Sequence, residues 1–470
     1  MFEQLLVLSS AADVRERFLR MLAGLDEASA AADAGTRTVL QTYRGRVSEL
    51  LVEQQGILAD HIEGLRAGFG DQPSEWPPDE LGEMSAATVA MFDLLSIQHY
   101  EVATHLPGRS AAREDLLYLL MRSMRFSLMS REHTRLLSVQ ESRMLTWEAT
   151  RFTQLQADGP SAAAIAVPWL ETLTPLRWPL AVHELGHYFL PDAALVYPNV
   201  LRIAQEHDWR EADLTSFKEI VADAIAQGAL GDAYAYALAR EGYLLSYKTH
   251  QGGGVSVADR LRLLGGPIAL IDNLPSVWRL DERSPVPTSG SKPPAPPPDP
   301  TEEDERAQMR AEALKLVGEP PTNDPERVGE ARQLISSGEP PTAVLSSRAR
   351  SVEGLMGLVE ALDEAGQSPV SRLTPEQVGD LTNLAVHRPL TDGEILEAAW
   401  LEDCERDPTQ LLDSLCGPRD DKTIQEAMRD VVERDTWLAR ALQSAAVHRW
   451  VDDGERRDAQ RRAAIGQEMA

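Results

Sequence analysis

The sequence predicts a mainly α-helical fold, and three observations predict it. Apolar residues recur at helical spacing through most of the 470 residues, the pattern of helices with one buried face. Strand-like runs are scarce, and "AAAIAVPW" (162–169) alone reads as a short strand. One proline-dense stretch, "SPVPTSGSKPPAPPPDP" (284–300), interrupts the pattern. Its prolines favour an extended conformation and cannot donate hydrogen bonds to a helix or sheet, so it reads as a tether. The chain thus divides into a helical N-terminal region (1–150), a core (151–283), a Pro-rich linker (284–303) and a C-terminal helical domain (304–470) expected to fold separately.

The elements follow in order. In "RVSELLVEQQGILADHIEGL" (46–65), Val47, Leu50, Leu51, Ile57, Leu58, Ile62 and Leu65 mark a buried helical face. "GDQPSEWPPDE" (70–80) is a loop between helices. Leu117, Met121, Met124 and Leu128 line a second helical stripe, read as packing rather than as a cofactor site. Beyond the linker, "GEPPT" occurs at 318–322 and at 338–342, each after an apolar helical segment. Two copies do not make a repeat array, and they are expected to mark two helix ends.

Composition excludes several functions. A net charge of −28 disfavours nucleic acid and anionic membrane surfaces, both of which are bound by clustered Lys and Arg. Cys404 and Cys416 are too few for a disulfide framework and read as reduced thiols. The opening "MFEQLLVLSSAADVRERFLRML" carries acids and arginines where a signal peptide needs an apolar run. No stretch approaches the length of a membrane span. The expectation is a cytoplasmic protein.

The chemistry concentrates in "AVHELGHYFL" (181–190). His183 and His187 stand four residues apart, one helical turn, and can share a metal ion. Glu184 lies beside the first histidine, placed to take a proton from metal-bound water without ligating. A third ligand is sought downstream. The metzincin pattern needs glycine at 190 and histidine at 193, where this chain has Leu190 and Ala193. "SFKEIVADAIAQGAL" (216–230) offers Glu219, 32 residues after His187 (219 − 187), and Asp223 one turn further on. Asp223 is placed to accept the second ring N–H of a ligating histidine and fix its tautomer. His207, between the two segments, is the rival ligand; as a lone histidine beside acids it ranks below Glu219.

"HELGH" followed by a helix bearing "EIVAD" resembles the gluzincin zinc metallopeptidases. The resemblance covers roughly residues 165–265, and its two metal-binding segments are its specific part. It implies a zincin-like core, a Zn2+ cofactor held by His183, His187 and Glu219, Glu184 as general base, and Asp223 supporting a ligand. Soluble relatives carry a His-Pro pair and an Arg-Leu helix further on, which His250 and Arg260 match, although Gln251 and three glycines replace the proline. His250 is therefore a candidate for stabilising the oxyanion, with Tyr247 and Tyr234 as competing donors.

The expected function is hydrolysis of peptide bonds in an intracellular protein substrate by a zinc metallopeptidase, with the helical flanks open to a regulatory protein partner. The alternative is a non-catalytic helical scaffold or sensor whose zincin core is structural or degenerate. Glu184 favours the enzyme, because a structural metal site has no use for a base.

Overall fold

The computed structural model describes residues 2–103, 136–142, 148–151, 162–192, 202–209, 211–245, 257–264, 300–317, 323–337, 390–417, 419–439, 441–442 and 445. Over these residues the chain is mainly helical. Helices α1 (Phe2–Ala31), α2 (Ala34–Phe69) and α3 (Gly82–Ala103) pack on one another. The turn between α1 and α2 is set by Asp33, whose carboxylate accepts the backbone N–H groups of Gly35 and Thr36 and caps α2. On α2, Val47, Leu51, Leu58, Ile62 and Leu65 are buried as the pattern requires, and Leu50 is half-buried. Ile57 instead faces outward, 40% exposed. The 70–80 segment is a loop with short 3-10 turns at Pro73–Glu75 and Pro78–Leu81, pinned by the buried Trp76. The stripe at 117–128 lies outside the described residues.

A three-stranded sheet follows, in the order β1 (Leu136–Ser142), β3 (Ala162–Pro168), β2 (Glu148–Arg151). The central β3 runs parallel to β1, with Leu136 opposite Ala162, and antiparallel to β2, with Glu148 opposite Ala166. β3 is the strand expected at 162–169. β1 and β2 correct the reading of 1–150 as wholly helical. Both are short, and a strand is stabilised by its neighbours in the sheet more than by its own residues, so local pattern does not reveal it.

Four helices then build the centre of the molecule: α4 (Pro179–Asp192), α5 (Glu211–Leu230), α6 (Asp232–Leu245) and α7 (Val257–Leu264). α4 packs against β2, β3, α5 and α6, and α7 lies across α5 and α6. The C-terminal part supplies α8 (Pro300–Val317), α9 (Pro325–Ser337), α10 (Asp392–Cys404), α11 (Pro408–Cys416) and α12 (residues 421–439). α8 and α9 each end directly before a GEPPT. Most of the expected linker lies outside the described residues, but its last four positions, from Pro300, already belong to α8. Proline suits this place because the first helical N–H groups have no partner to lose.

The C-terminal helices, expected to fold separately, pack on the elements that precede the linker. α8 packs on α5, α10 on α6, and α11 on α1 and α2, so all share one hydrophobic core. Asn323 donates to Leu230 O at 3.1 Å and to Glu397 at 2.7 Å, joining the end of α5 to α10. Beside it, Gly231 takes the left-handed conformation, φ 62°, where a side chain would strike Asn323.

A buried ionic network ties the same parts together. Arg17 on α1 pairs with Glu171 at 2.9 Å and with Glu241 on α6 at 2.7 Å, and Arg177, just before α4, pairs with Glu241 and with Asp13 on α1. Arg20 meets Asp435 on α12 at 2.6 Å, while Glu16 takes both Arg406 and Arg434. Arg240 and Arg406 share Asp403. Six arginines thus face six carboxylates: Arg17, Arg20, Arg177, Arg240, Arg406 and Arg434 against Asp13, Glu16, Glu171, Glu241, Asp403 and Asp435. Arg17, Arg20, Arg177 and Arg240 are buried, and charges so placed persist only when paired, which this balance achieves. No helix among the described residues is long and apolar enough to cross a membrane. Cys404 and Cys416 are free thiols.

Candidate metal centre

The site forms where α4 lies against α5. Gly186 allows the approach: a Cβ built there would stand 2.9 Å from Ala222 Cα and 3.1 Å from its carbonyl oxygen. No side chain larger than hydrogen fits between these backbones. The contact brings Glu219 across to the histidines, because Ala222 lies three residues beyond it and Gly186 sits between His183 and His187.

His183 Nε2 and His187 Nε2 lie 3.0 Å apart. Glu219 places Oε2 3.3 Å from His183 Nε2 and Oε1 3.3 Å from His187 Nε2. Ligand atoms about 2.0–2.1 Å from one tetrahedral ion would be about 3.3–3.4 Å from each other; the two carboxylate separations, made through different oxygens, lie close to this, and the histidine nitrogens are closer together. Among the described residues these three form the one group of His, Cys, Asp or Glu able to hold an ion. The His, His, carboxylate donor set suits zinc, and imidazole nitrogen also serves other first-row metals. The His183 side chain is only 9% exposed, against 25% for His187 and 30% for Glu219, so the group opens on the side of the latter two. Glu184, half-buried, follows His183 on α4.

Behind the group lies an inner layer of polar contacts. Asp223 Oδ1 sits 2.8 Å from His183 Nδ1, which orients the ring and leaves Nε2 free to face Glu219 and His187. Tyr234 donates to the same Asp223 oxygen at 2.5 Å, and its ring stacks on that of His183. Arg260 grips Asp223 with two bonds, Nε to Oδ2 at 2.9 Å and Nη2 to Oδ1 at 2.6 Å. The position of Tyr234 corrects its reading as a donor to the reacting carbonyl. It is fully buried, with its hydroxyl committed to Asp223 and 3.0 Å from His183 Nδ1.

The electrostatics follow from these contacts. Burial disfavours a charged His183, but hydrogen bonds to Asp223 and Glu219 outweigh it and push the imidazole up to about 9. Burial would raise Glu219, yet the two histidines and Arg260 hold it well below the usual carboxylate range. Asp223, pushed upward by burial, is likewise held low by Arg260 and His183. Burial and the Asp223 charge raise the Tyr234 hydroxyl, which stays protonated and able to donate.

His207 is elsewhere. It stacks on Trp209 with ring centroids 5.0 Å apart, and its Nδ1 lies 3.1 Å from Gln308 Nε2 on α8. His250 and Tyr247 fall outside the described residues. No protein-family model, curated protein or solved structure matches this chain. Among the residues that pattern did not single out, Gln227 stands one turn beyond Asp223 on α5 and joins that helix to α7. No motif announces it, although its spacing from Asp223 places it on the same helix face.

Proposed function

We propose that the chain is a zinc-dependent metallopeptidase that hydrolyses a peptide bond of a protein substrate. One observation carries the reading: ligand atoms of two histidines and a carboxylate converge within reach of one ion, with the Glu184 carboxylate on the same helix as the histidines. His183, His187 and Glu219 are the residues that would hold the ion. Zinc bound there supplies Lewis acidity toward a carbonyl oxygen and toward water.

The protein's own part is proton handling and alignment. Glu184 takes the proton from the attacking water as the C–O bond forms. It then delivers that proton to the amide nitrogen as the C–N bond breaks, leaving a carboxylic acid and an amine. Asp223 keeps His183 in the tautomer with Nε2 free, and Tyr234 and Arg260 hold Asp223. Intact Glu184 supports the enzyme over a scaffold, since holding a metal does not require it.

The test is metal analysis paired with Glu184→Gln, which keeps size and polarity but removes the base. About one zinc per chain is expected in both forms, with hydrolysis of the substrate found by proteome-wide cleavage comparison lowered about 10²–10⁴-fold in the variant. Unchanged biological activity in Glu184→Gln would establish the scaffold or sensor reading instead.

A further inference from the structure

Helices α5 and α7 are joined by a ladder of two rungs, each rung four residues from the other on both helices. The first rung is the Arg260–Asp223 pair behind His183. In the second, Gln227 Nε2 donates to Leu264 O at 2.8 Å. Leu264 is the last residue of α7, so its carbonyl belongs to the final turn that has no partner within the helix. A third helix closes the second rung. Arg310 of α8 donates through one nitrogen, Nη2, to Gln227 Oε1 at 3.0 Å and to Leu264 O at 3.2 Å. Its cation also lies at the negative end of the α7 dipole.

Arg310 differs from the six arginines of the ionic network. No carboxylate pairs with it among the described residues, while its Nη1, like those of Arg17 and Arg20, is buried without a hydrogen-bond partner. Burial accordingly pushes the guanidinium below its ordinary value, with the nearby Asp223 charge acting the other way. An unpaired buried charge costs free energy that returning it to water recovers. This cost offsets part of what the docking of α8 gains by burying Met309 and Ala313.

We infer that α8 is a latch on the metal centre, with Arg310 as the positioning residue through which it acts. Docked, α8 fixes the end of α7 and so the placement of Arg260 on Asp223, which in turn orients His183. Released, α7 loosens and His183 loses part of its support, so metal affinity falls. The regulation of the site resides in the C-terminal part of the chain, and whatever engages α8 controls the metal. This rests on the reading of His183, His187 and Glu219 as metal ligands.

The test replaces Arg310 with methionine, which keeps the long stem and removes the charge and the fork. Zinc affinity is measured by chelator competition on the full chain, and amide exchange of residues 257–264 is followed in the metal-free protein. The latch requires about 10–100-fold weaker zinc binding, the range for losing an outer support of a ligand. It also requires faster exchange in α7, with melting of the metal-free protein unchanged or raised because a buried charge is gone. Lower melting temperature with wild-type zinc affinity and wild-type exchange would make Arg310 merely structural and overturn the latch. Should Arg310→Met fail to fold, Arg310→Lys decides, since it keeps the charge but lacks the planar fork; wild-type zinc affinity in that variant also overturns the proposal. A zinc-binding wild type whose Glu184→Gln form keeps its activity removes the enzyme reading and leaves the latch intact. A wild type that binds no zinc overturns both.

Discussion

Gly186 shows how one missing side chain can hold a site together. It ligates nothing, yet a methyl group there would press on the Ala222 backbone and part α4 from α5. Gly186→Ala is expected to cost about 1–3 kcal/mol as an overpacked contact. It should also weaken zinc binding, because Glu219 would move away from the histidines. Gly228→Ala on α5 is the control: nothing lies within 4 Å of its Cβ, so zinc binding should be unchanged. Equal zinc affinities in the two variants would show that the close approach does not set the ligand spacing. At this scale the sequence was most informative. His183, Glu184 and His187 are legible because one helical turn separates the histidines, and Glu219 because it lies on a second helix with Asp223 one turn on. Tyr234 and Arg310 were not legible in their structural roles, since each supports the site across a tertiary contact that leaves no local spacing.

Among the elements, α1 carries the heaviest demands. Its Arg17 is fully buried and bonds to acids on α1 itself, on the turn at Trp169–Thr172, and on α6. Glu241→Gln removes the carboxylate shared by Arg17 and Arg177. Leaving two buried guanidinium groups short of charge should cost about 3–5 kcal/mol in urea unfolding. Arg46→Ala, which breaks the exposed pair with Glu101, should cost under about 1 kcal/mol. Comparable losses in both would mean that the network contributes no more than a surface pair. Helices such as α2 could be read from apolar spacing, and β3 from its run of small and branched residues. β1 and β2 could not, because their partner strand, not their composition, makes them strands.

For the whole molecule, the ionic network and the contacts of His183 set two pH limits on stability. Arg177 and Arg17 hold Asp13 below the carboxylate range against burial, and Arg406 and Arg434 do the same for Glu16. Groups with depressed values stabilise the fold above the unfolded value, about 4, and lose that contribution as acid protonates them. Glu171 is raised by burial and acts in the opposite sense. His183, raised to about 9, stabilises the metal-free fold below the unfolded value of about 6.5 and loses this as pH rises through 9. The melting temperature of metal-free protein should therefore fall below about pH 4 and again between about pH 6.5 and 9. Zinc should reverse the second decline, because it displaces the His183 proton. A metal-free melting temperature flat from pH 6.5 to 9 would contradict this account of His183. Partners of the α1 arginines stand hundreds of residues away, which no local pattern reveals. That distance also has a meaning in time. Arg20 waits for Asp435, 415 residues later, which at about 5–20 residues per second is about 20–80 s of synthesis. Until then its carboxylate companion among the described residues is Glu16, one turn back on its own helix. Arg20 on α1 is therefore among the last of these charges to be fully neutralised, and the nascent chain must keep it from wrong partners through that interval.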